Sequence, residues 1–227
     1  MTAIHGVILD MDGTLIDSND DHARAWIEAM AEYGFRPPFQ EVRRLIGMGG
    51  TFLIPRAIGI DAESEIGEGI RQRRREIFRT RYLPLLRPFP QVRELVVRMR
   101  SAGLKRVIAS ASKREELEPM LRITGIADLV EGVVTANEVE DPKPEPDVVA
   151  AALDKLALAP DQVLMLGDTP YDLEAAGKIG VGVVAVCSGG WEPEELRGAV
   201  AVYRDAADLL AHFESSPLAR RSGDGED

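Results

Sequence analysis

The sequence predicts a doubly wound α/β fold, a Rossmann-like parallel sheet with helices on both faces, carrying an inserted, mainly helical cap domain. Three observations predict it. Short apolar, β-branched runs recur along the chain, and segments with helical spacing separate most of them. The alternation fails once, between residues 16 and 84, where helical patterns and turn residues continue without a convincing strand.

The runs at residues 4–9, 107–109, 132–135, 163–166 and 181–186, with a weaker one at 200–203, each read as a buried strand. Helical spacing shows in Val92, Leu95, Val96 and Met99, in Leu117, Met120 and Leu121, and in Val148, Val149, Ala152, Leu153 and Leu156. Within the insertion, helices are predicted over 20–33, 41–46, about 52–58 and 63–81. Pro84, Pro88 and Pro90 cannot continue a helix, so the return to the sheet reads as a stiff linker. The expected organisation is a catalytic core of residues 1–16 and 85–214, a cap of residues 17–84, and a flexible tail of residues 215–227.

A chain of 227 residues is long enough for a core domain carrying a smaller inserted one. Its 45% hydrophobic and 29% charged residues are the balance of a soluble globular protein. The formal charge of -11 argues against a nucleic-acid partner, since tracking phosphates needs clustered Lys and Arg. The one basic run, residues 71–75, reads as a solvated helix face. A single cysteine, Cys187, excludes an intramolecular disulfide and suits a reducing compartment. The N-terminus lacks a basic, signal-like region, and no apolar run approaches the roughly 20 residues of a membrane helix. The expectation is a cytoplasmic protein with no membrane partner, monomeric by default.

In a parallel sheet, ligands bind beyond the carboxyl ends of the strands, so the residues after each run are where chemistry is sought. They are Asp10-Met11-Asp12-Gly13-Thr14, Ser110-Ala111-Ser112-Lys113, Asp141-Pro142-Lys143-Pro144 and Gly167-Asp168-Thr169-Pro170-Tyr171-Asp172. Any one of them is explicable as a turn or a helix cap. Four at one sheet edge are better explained as one site. Hydrolysis of a phosphomonoester needs a nucleophile, a proton donor for the leaving oxygen and positive charge against the phosphoryl oxygens. Asp10 supplies a carboxylate nucleophile, and Asp12 a proton donor two residues on. Lys143 supplies fixed charge, while the Ser110 hydroxyl and nearby backbone N–H groups, with Gly13 and Thr14, donate hydrogen bonds to the phosphoryl oxygens. A hard cation, Mg²⁺, would sit between Asp10, the Asp12 carbonyl and Asp168, with Asp172 behind it.

With these residues assembled, the chain resembles the haloacid dehalogenase superfamily, over roughly residues 3–213 and in its branch with a helical cap after the first strand. Within that branch it is similar to phosphoglycolate phosphatases and to β-phosphoglucomutase-like phosphatases. The resemblance implies Asp10 as nucleophile, Asp12 as acid and base, Ser110 and Lys143 as phosphate ligands, Asp168 and Asp172 as metal-site acids, and a cap that closes over the core. The superfamily's dehalogenases lack an acid at the position of Asp12, so its presence points to phosphoryl transfer.

Asp21-His22-Ala23-Arg24-Ala25-Trp26 looks like the corresponding cap segment of the mutases. The mutases, however, carry an adjacent Glu-Asp pair where this chain has Gly167-Asp168, and a cap-loop arginine that Gly47-Met48-Gly49-Gly50-Thr51 replaces. No substitute for that arginine is visible in the sequence. The leading expectation is a Mg²⁺-dependent phosphatase acting on a small phosphorylated metabolite, with a sugar-phosphate mutase as the alternative and a non-catalytic phosphate-binding module as a third class. Gly49, Gly50 and Arg56 of the cap and Ser112 and Lys113 of the core are candidate substrate contacts, Lys113 for a second anionic group or equally as a plain surface lysine. Trp26 reads as cap core and His22 as structural.

Overall fold

The computed structural model describes residues 2–139 and 141–219. Six strands form one parallel sheet: β1 (Gly6–Leu9), β4 (Lys105–Ala109), β5 (Gly132–Val134), β6 (Val163–Gly167), β7 (Gly182–Val186) and β8 (Ala201–Tyr203), in the order β5-β4-β1-β6-β7-β8. The chain builds outward from β1 in one direction, then crosses back to its other side at β6. That reversal opens a crevice at the carboxyl ends of β1 and β6. Leu9 is in register with Ile108 on one side and Leu166 on the other.

Alternation of side chains along β1 sends Val7 and Leu9 to one face and Ile8 to the other. The first face packs against α5 (Val92–Ser101), α6 (Arg114–Thr124) and α9 (Ala206–Ala211), through residues such as Leu95, Leu117 and Leu209. The second packs against α7 (Asp147–Leu156) and α8 (Pro170–Gly177), through Val149, Ala152 and Ala176. Burial on both faces explains why the strands are uniformly apolar.

The insertion holds α1 (Asn19–Glu32), α2 (Phe39–Arg44), α3 (Gly50–Ile58) and α4 (Glu65–Ile77). It leaves and rejoins the core through a two-residue antiparallel ribbon, β2 (Ile16–Asp17) paired with β3 (Arg87–Pro88), which the proline-rich sequence hid. The helix expected over 63–81 starts later, because the Ser64 hydroxyl caps it by accepting from the Gly67 N–H at 3.1 Å. It ends earlier, in a π turn over Phe78–Tyr82. Residues 215–219, expected to begin a flexible tail, instead form short turns in which Ser216 and Leu218 are buried, Leu218 with the Leu209 core. The remainder of that expected tail lies outside the described residues. No helix among the described residues is long and apolar enough to cross a membrane.

Candidate active site

The end of β1 places Asp10 in the crevice, its N–H donating to the Leu166 carbonyl at 2.9 Å. The chain then turns back at once, with the Gly13 N–H donating to the Ile16 carbonyl at 2.9 Å. Gly13 has φ +77°, and a Cβ there would lie 2.1 Å from Asn19 Nδ2 and 2.3 Å from Asp168 Oδ2, so only glycine fits the turn. Lys143, 1% exposed, reaches in from the loop after β5, its Nζ 2.5 Å from Asp10 Oδ1 and 2.7 Å from Asp172 Oδ1. Asp168 follows β6. Its Oδ1 accepts from the Thr14 hydroxyl at 2.8 Å and its Oδ2 from Asn19 Nδ2 at 3.0 Å. Asp172 lies in the first turn of α8, where its Oδ2 accepts from the N–H and hydroxyl of the capping Thr169 at 3.0 and 2.7 Å.

Asp10, Asp168 and Asp172 are all buried, and one carboxylate oxygen from each falls within 4.8 Å of the other two. Burial pushes Asp10 up to about 7; Lys143 opposes this, while Asp172 and Asp12 reinforce it. Burial, then Asp10 and Asp172, likewise raise Asp168 well above the ordinary carboxylate range. Lys143 stands above its ordinary value because Asp10 and Asp172 outweigh the cost of its burial. Asp172 Oδ1 is met by the Lys143 ammonium at 2.7 Å, the same ammonium that holds Asp10. Three hard oxygen donors and more negative charge than that one lysine offsets fit a divalent cation with oxygen ligands.

Asp12 is embedded differently. Its Oδ1 accepts from the Ser18 hydroxyl at 2.6 Å and lies 2.7 Å from His22 Nε2, while its Oδ2 accepts from the Ser112 hydroxyl at 3.1 Å. Burial acts to raise Asp12, but the charge and hydrogen bond of His22 outweigh it and hold the carboxyl well below its usual range. His22 stacks on Phe78 with ring centroids 3.9 Å apart, and its Nδ1 contacts the Arg74 guanidinium. Arg74 in turn makes a two-pronged pair with the buried Glu116 of α6, at 2.9 and 2.8 Å. A continuous polar line therefore runs from Asp12 through the cap to the far wall of the core.

Several sequence expectations need correction here. His22, read as structural, touches Asp12 directly. Ser112, read as a substrate contact, lines the cavity and also donates its hydroxyl to Asp12, while the Thr14 hydroxyl donates to Asp168 and, at 3.4 Å, to Asp10. The Gly13 N–H is spent on its own turn and its carbonyl accepts from Ser188. Ser110 is buried and its hydroxyl accepts from the Ser112 N–H at 3.0 Å, leaving its proton for another acceptor. Arg56 is exposed and folds back on Phe52 by a 3.2 Å bond to its carbonyl, away from the cavity. Gly49 and Gly50 line the cavity, but their role is close approach: a Cβ on Gly49 would lie 2.1 Å from the Pro142 ring. Trp26, read as cap core, is buried and also lines the cavity. Arg71, Arg74 and Arg75 do so too, so the basic run is no solvated face and supplies the cap cations expected to be missing.

The cavity between cap and core measures about 300 Å³ and has Asp10, Asp12 and Lys113 in its lining. Asn19 and Glu116 escaped sequence reading altogether. Glu116 carried one signal, a carboxylate falling on the buried stripe of α6 beside Leu117 and Met120.

The family model for haloacid dehalogenase-like hydrolases matches residues 7–186. The chain belongs to the haloacid dehalogenase-like hydrolases. Among curated members of this group, it is 30% identical to a phosphoglycolate phosphatase of Rhodospirillum rubrum over 89% of this chain and 88% of that one. It is 28% identical to the N-acetylmuramic acid 6-phosphate phosphatase of Pseudomonas aeruginosa over 85% of each. In structure it is similar to a hydrolase from Pseudomonas syringae, with a TM-score of 0.87 and 27% identity over 93% of this chain and 98% of that one. A candidate β-phosphoglucomutase from Bacteroides vulgatus gives a TM-score of 0.84 at 26% identity, over 96% and 91%. As a haloacid dehalogenase-like hydrolase with such relatives, the chain is a phosphoric monoester hydrolase.

Proposed function

We propose that the protein hydrolyses a small phosphomonoester in two steps, through a phosphoryl group carried transiently on Asp10. The observation that carries this reading is the pairing of a buried carboxylate and ammonium, Asp10 and Lys143 at 2.5 Å, with a second carboxylate two residues on that is bonded to a histidine. An Asp10 carboxylate oxygen attacks phosphorus as the P–O bond to the leaving group breaks, and the leaving oxygen takes a proton. Water then attacks the phosphoryl-aspartate, losing a proton as the carboxylate is released with inorganic phosphate.

Lys143 both orients Asp10 and offers charge to the phosphoryl oxygens, and the free proton of Ser110 donates to one of them. Asp12, two residues past Asp10 and held by Ser18, His22 and Ser112, is the group that in its protonated form gives the leaving oxygen its proton and in its ionised form takes one from the attacking water. Asp10, Asp168 and Asp172 would hold Mg²⁺, which supplies positive charge against the phosphoryl oxygens. The helical insertion serves as a cap that shields the site from bulk water.

The mutase alternative is not favoured, because curated relatives carry phosphatase names, including a fructose-1-phosphate phosphatase of Escherichia coli that is 26% identical over 80% of this chain and 95% of that one. The test is phosphate release from a panel of phosphorylated metabolites with Mg²⁺, alongside an excess of chelator and the Asp10→Asn variant. Turnover should vanish with either, and no acid-labile phosphoryl group should be trapped on the variant. Near wild-type turnover by Asp10→Asn would overturn the mechanism.

A further inference from the structure

The cap side of the cavity carries charge that the two-step chemistry leaves unused. Of the cavity-lining arginines of α4, Arg74 is committed to Glu116 and His22, whereas Arg71 and Arg75 are not engaged by the core. Both turn instead to Glu68 on the same helix, one turn before Arg71 and two turns before Arg75. Arg71 pairs with one of its carboxylate oxygens, and Arg75 lies 3.5 Å from the other. Glu68 is 52% exposed and sits on the helix surface, so it can swing into water at little cost. It acts as a place-holder: a carboxylate already rests between the two guanidinium groups.

Two further groups in the same wall lack partners. Arg71 Nε and Thr51 Oγ1 are buried and make no hydrogen bond. Buried polar atoms without partners are costly unless a ligand completes them. Across the cleft from the cap, Lys113 makes no ion pair among the described residues, and with Arg75 it lines both the cavity and the adjoining surface cleft. Apart from Asp10 and Asp12 at the reacting end, and with Arg74 and Glu116 paired off, Arg71, Arg75 and Lys113 are met in the cavity lining by the carboxylate of Glu68, a local surplus of positive charge in a chain whose net charge is strongly negative.

We propose that Arg71 and Arg75, with Thr51 and Lys113 beside them, form a subsite for a carboxylate on the substrate, at the end remote from its phosphoryl group. The preferred substrates are then phosphorylated carboxylic acids, whose carboxylate displaces Glu68 as the phosphoryl group meets Asp10. A guanidinium pair suits a planar carboxylate through paired N–H donors. A cavity of about 300 Å³ accommodates a small molecule of this kind. Arg71 and Arg75 also hold Glu68 below the ordinary carboxylate range against the effect of its burial, which shows that the position favours an anion. This inference rests on the phosphatase reading above.

The experiment compares kcat/KM for substrates matched in size but not in charge: 3-phosphoglycerate against glycerol 3-phosphate, and 6-phosphogluconate against glucitol 6-phosphate. Wild type should favour the acid in at least one pair by about tenfold or more, the scale of a charge-assisted hydrogen bond. Arg71→Gln should bring that ratio to within about threefold of unity, which a merely structural loss would not do. Glu68→Gln, an exposed change that keeps the fold, should lower KM for the acid by removing its competitor. Equal turnover of acid and alcohol in both pairs, or a preference that survives Arg71→Gln, would overturn the subsite while leaving the phosphatase intact. Absence of turnover with every phosphomonoester would instead sink the phosphatase reading and the subsite with it.

Discussion

Replacing Glu116 with Leu breaks a buried ion pair that ties α4 of the cap to α6 of the core. At separations of 2.8–2.9 Å the attraction between Arg74 and Glu116 is about 6 kcal/mol at an effective dielectric of about 20. Desolvation of both groups offsets most of it, so the pair as a whole adds little. Removing one partner is another matter, because it strands the other charge, at a cost of roughly 3–5 kcal/mol. Glu116 is 2% exposed and Arg74 12%, so the stranded guanidinium can recover some contact with water. The loss should fall at the lower end, about 3 kcal/mol, or a drop in Tm of about 6–12 °C for a chain of this size. Arg74→Met keeps the packing against Trp26 and Phe78 while stranding Glu116 instead. The double variant should then return to within about 1 kcal/mol of wild type. Chemical denaturation of all four proteins gives the coupling energy, expected at about 2 kcal/mol or more. A Glu116→Leu loss under about 1 kcal/mol, or two single losses that simply add, would refute this account of the latch.

Burial raises Asp10 to about 7, so between about pH 4, where an unfolded aspartate ionises, and about pH 7 the folded chain holds a proton that the unfolded chain releases. The metal-free protein should therefore lose stability as pH rises through that window, relative to Asp10→Asn, and Mg²⁺ should abolish the difference; melting curves at about pH 4.5 and about pH 7.5 test this, and a relative gain with rising pH would contradict it. His22→Gln should reduce kcat, but by less than Asp12→Asn, for which proton-transfer catalysis sets a loss of about 10²–10⁴-fold; single-turnover kinetics showing no change in His22→Gln would detach the histidine from the proton path. Gly49→Ala must push the cap loop off Pro142, costing about 1–3 kcal/mol, and an unchanged melting temperature would show that the loop does not press there.

The core was legible because its physics is local. A strand buried on both faces must be apolar throughout, and a residue just past its end must meet the crevice, so Asp10, Ser110 and Asp168 could be placed from position alone. The cap was less legible, since its functional groups are defined by which face of α4 looks inward. Residues 71–75 spread around a helix, and only the docked structure shows Arg71, Arg74 and Arg75 turned to the cavity while Arg73 pairs outward with Glu32. His22 was misread for a related reason. Its partners lie 10 residues before it and 52 after, and no spacing rule joins them. Gly49 and Gly50 read as substrate contacts; what Gly49 provides is close approach to Pro142, in a loop nearly a hundred residues away.

The ribbon at the base of the cap has a consequence for how such a protein can be altered. Asp17 and Arg87 sit opposite each other on antiparallel strands, so the outgoing and returning chains are already side by side. Antiparallel neighbours need only a two-residue turn to be joined. Everything between them is thus joined to the sheet at two adjacent points. Exchanging it for the corresponding segment of a relative would leave the sheet and its strand order in place, but the incoming segment would have to bring its own partners for Asp168 and Asp12 where Asn19 and His22 now stand, so which molecules are admitted and how they are processed would change together.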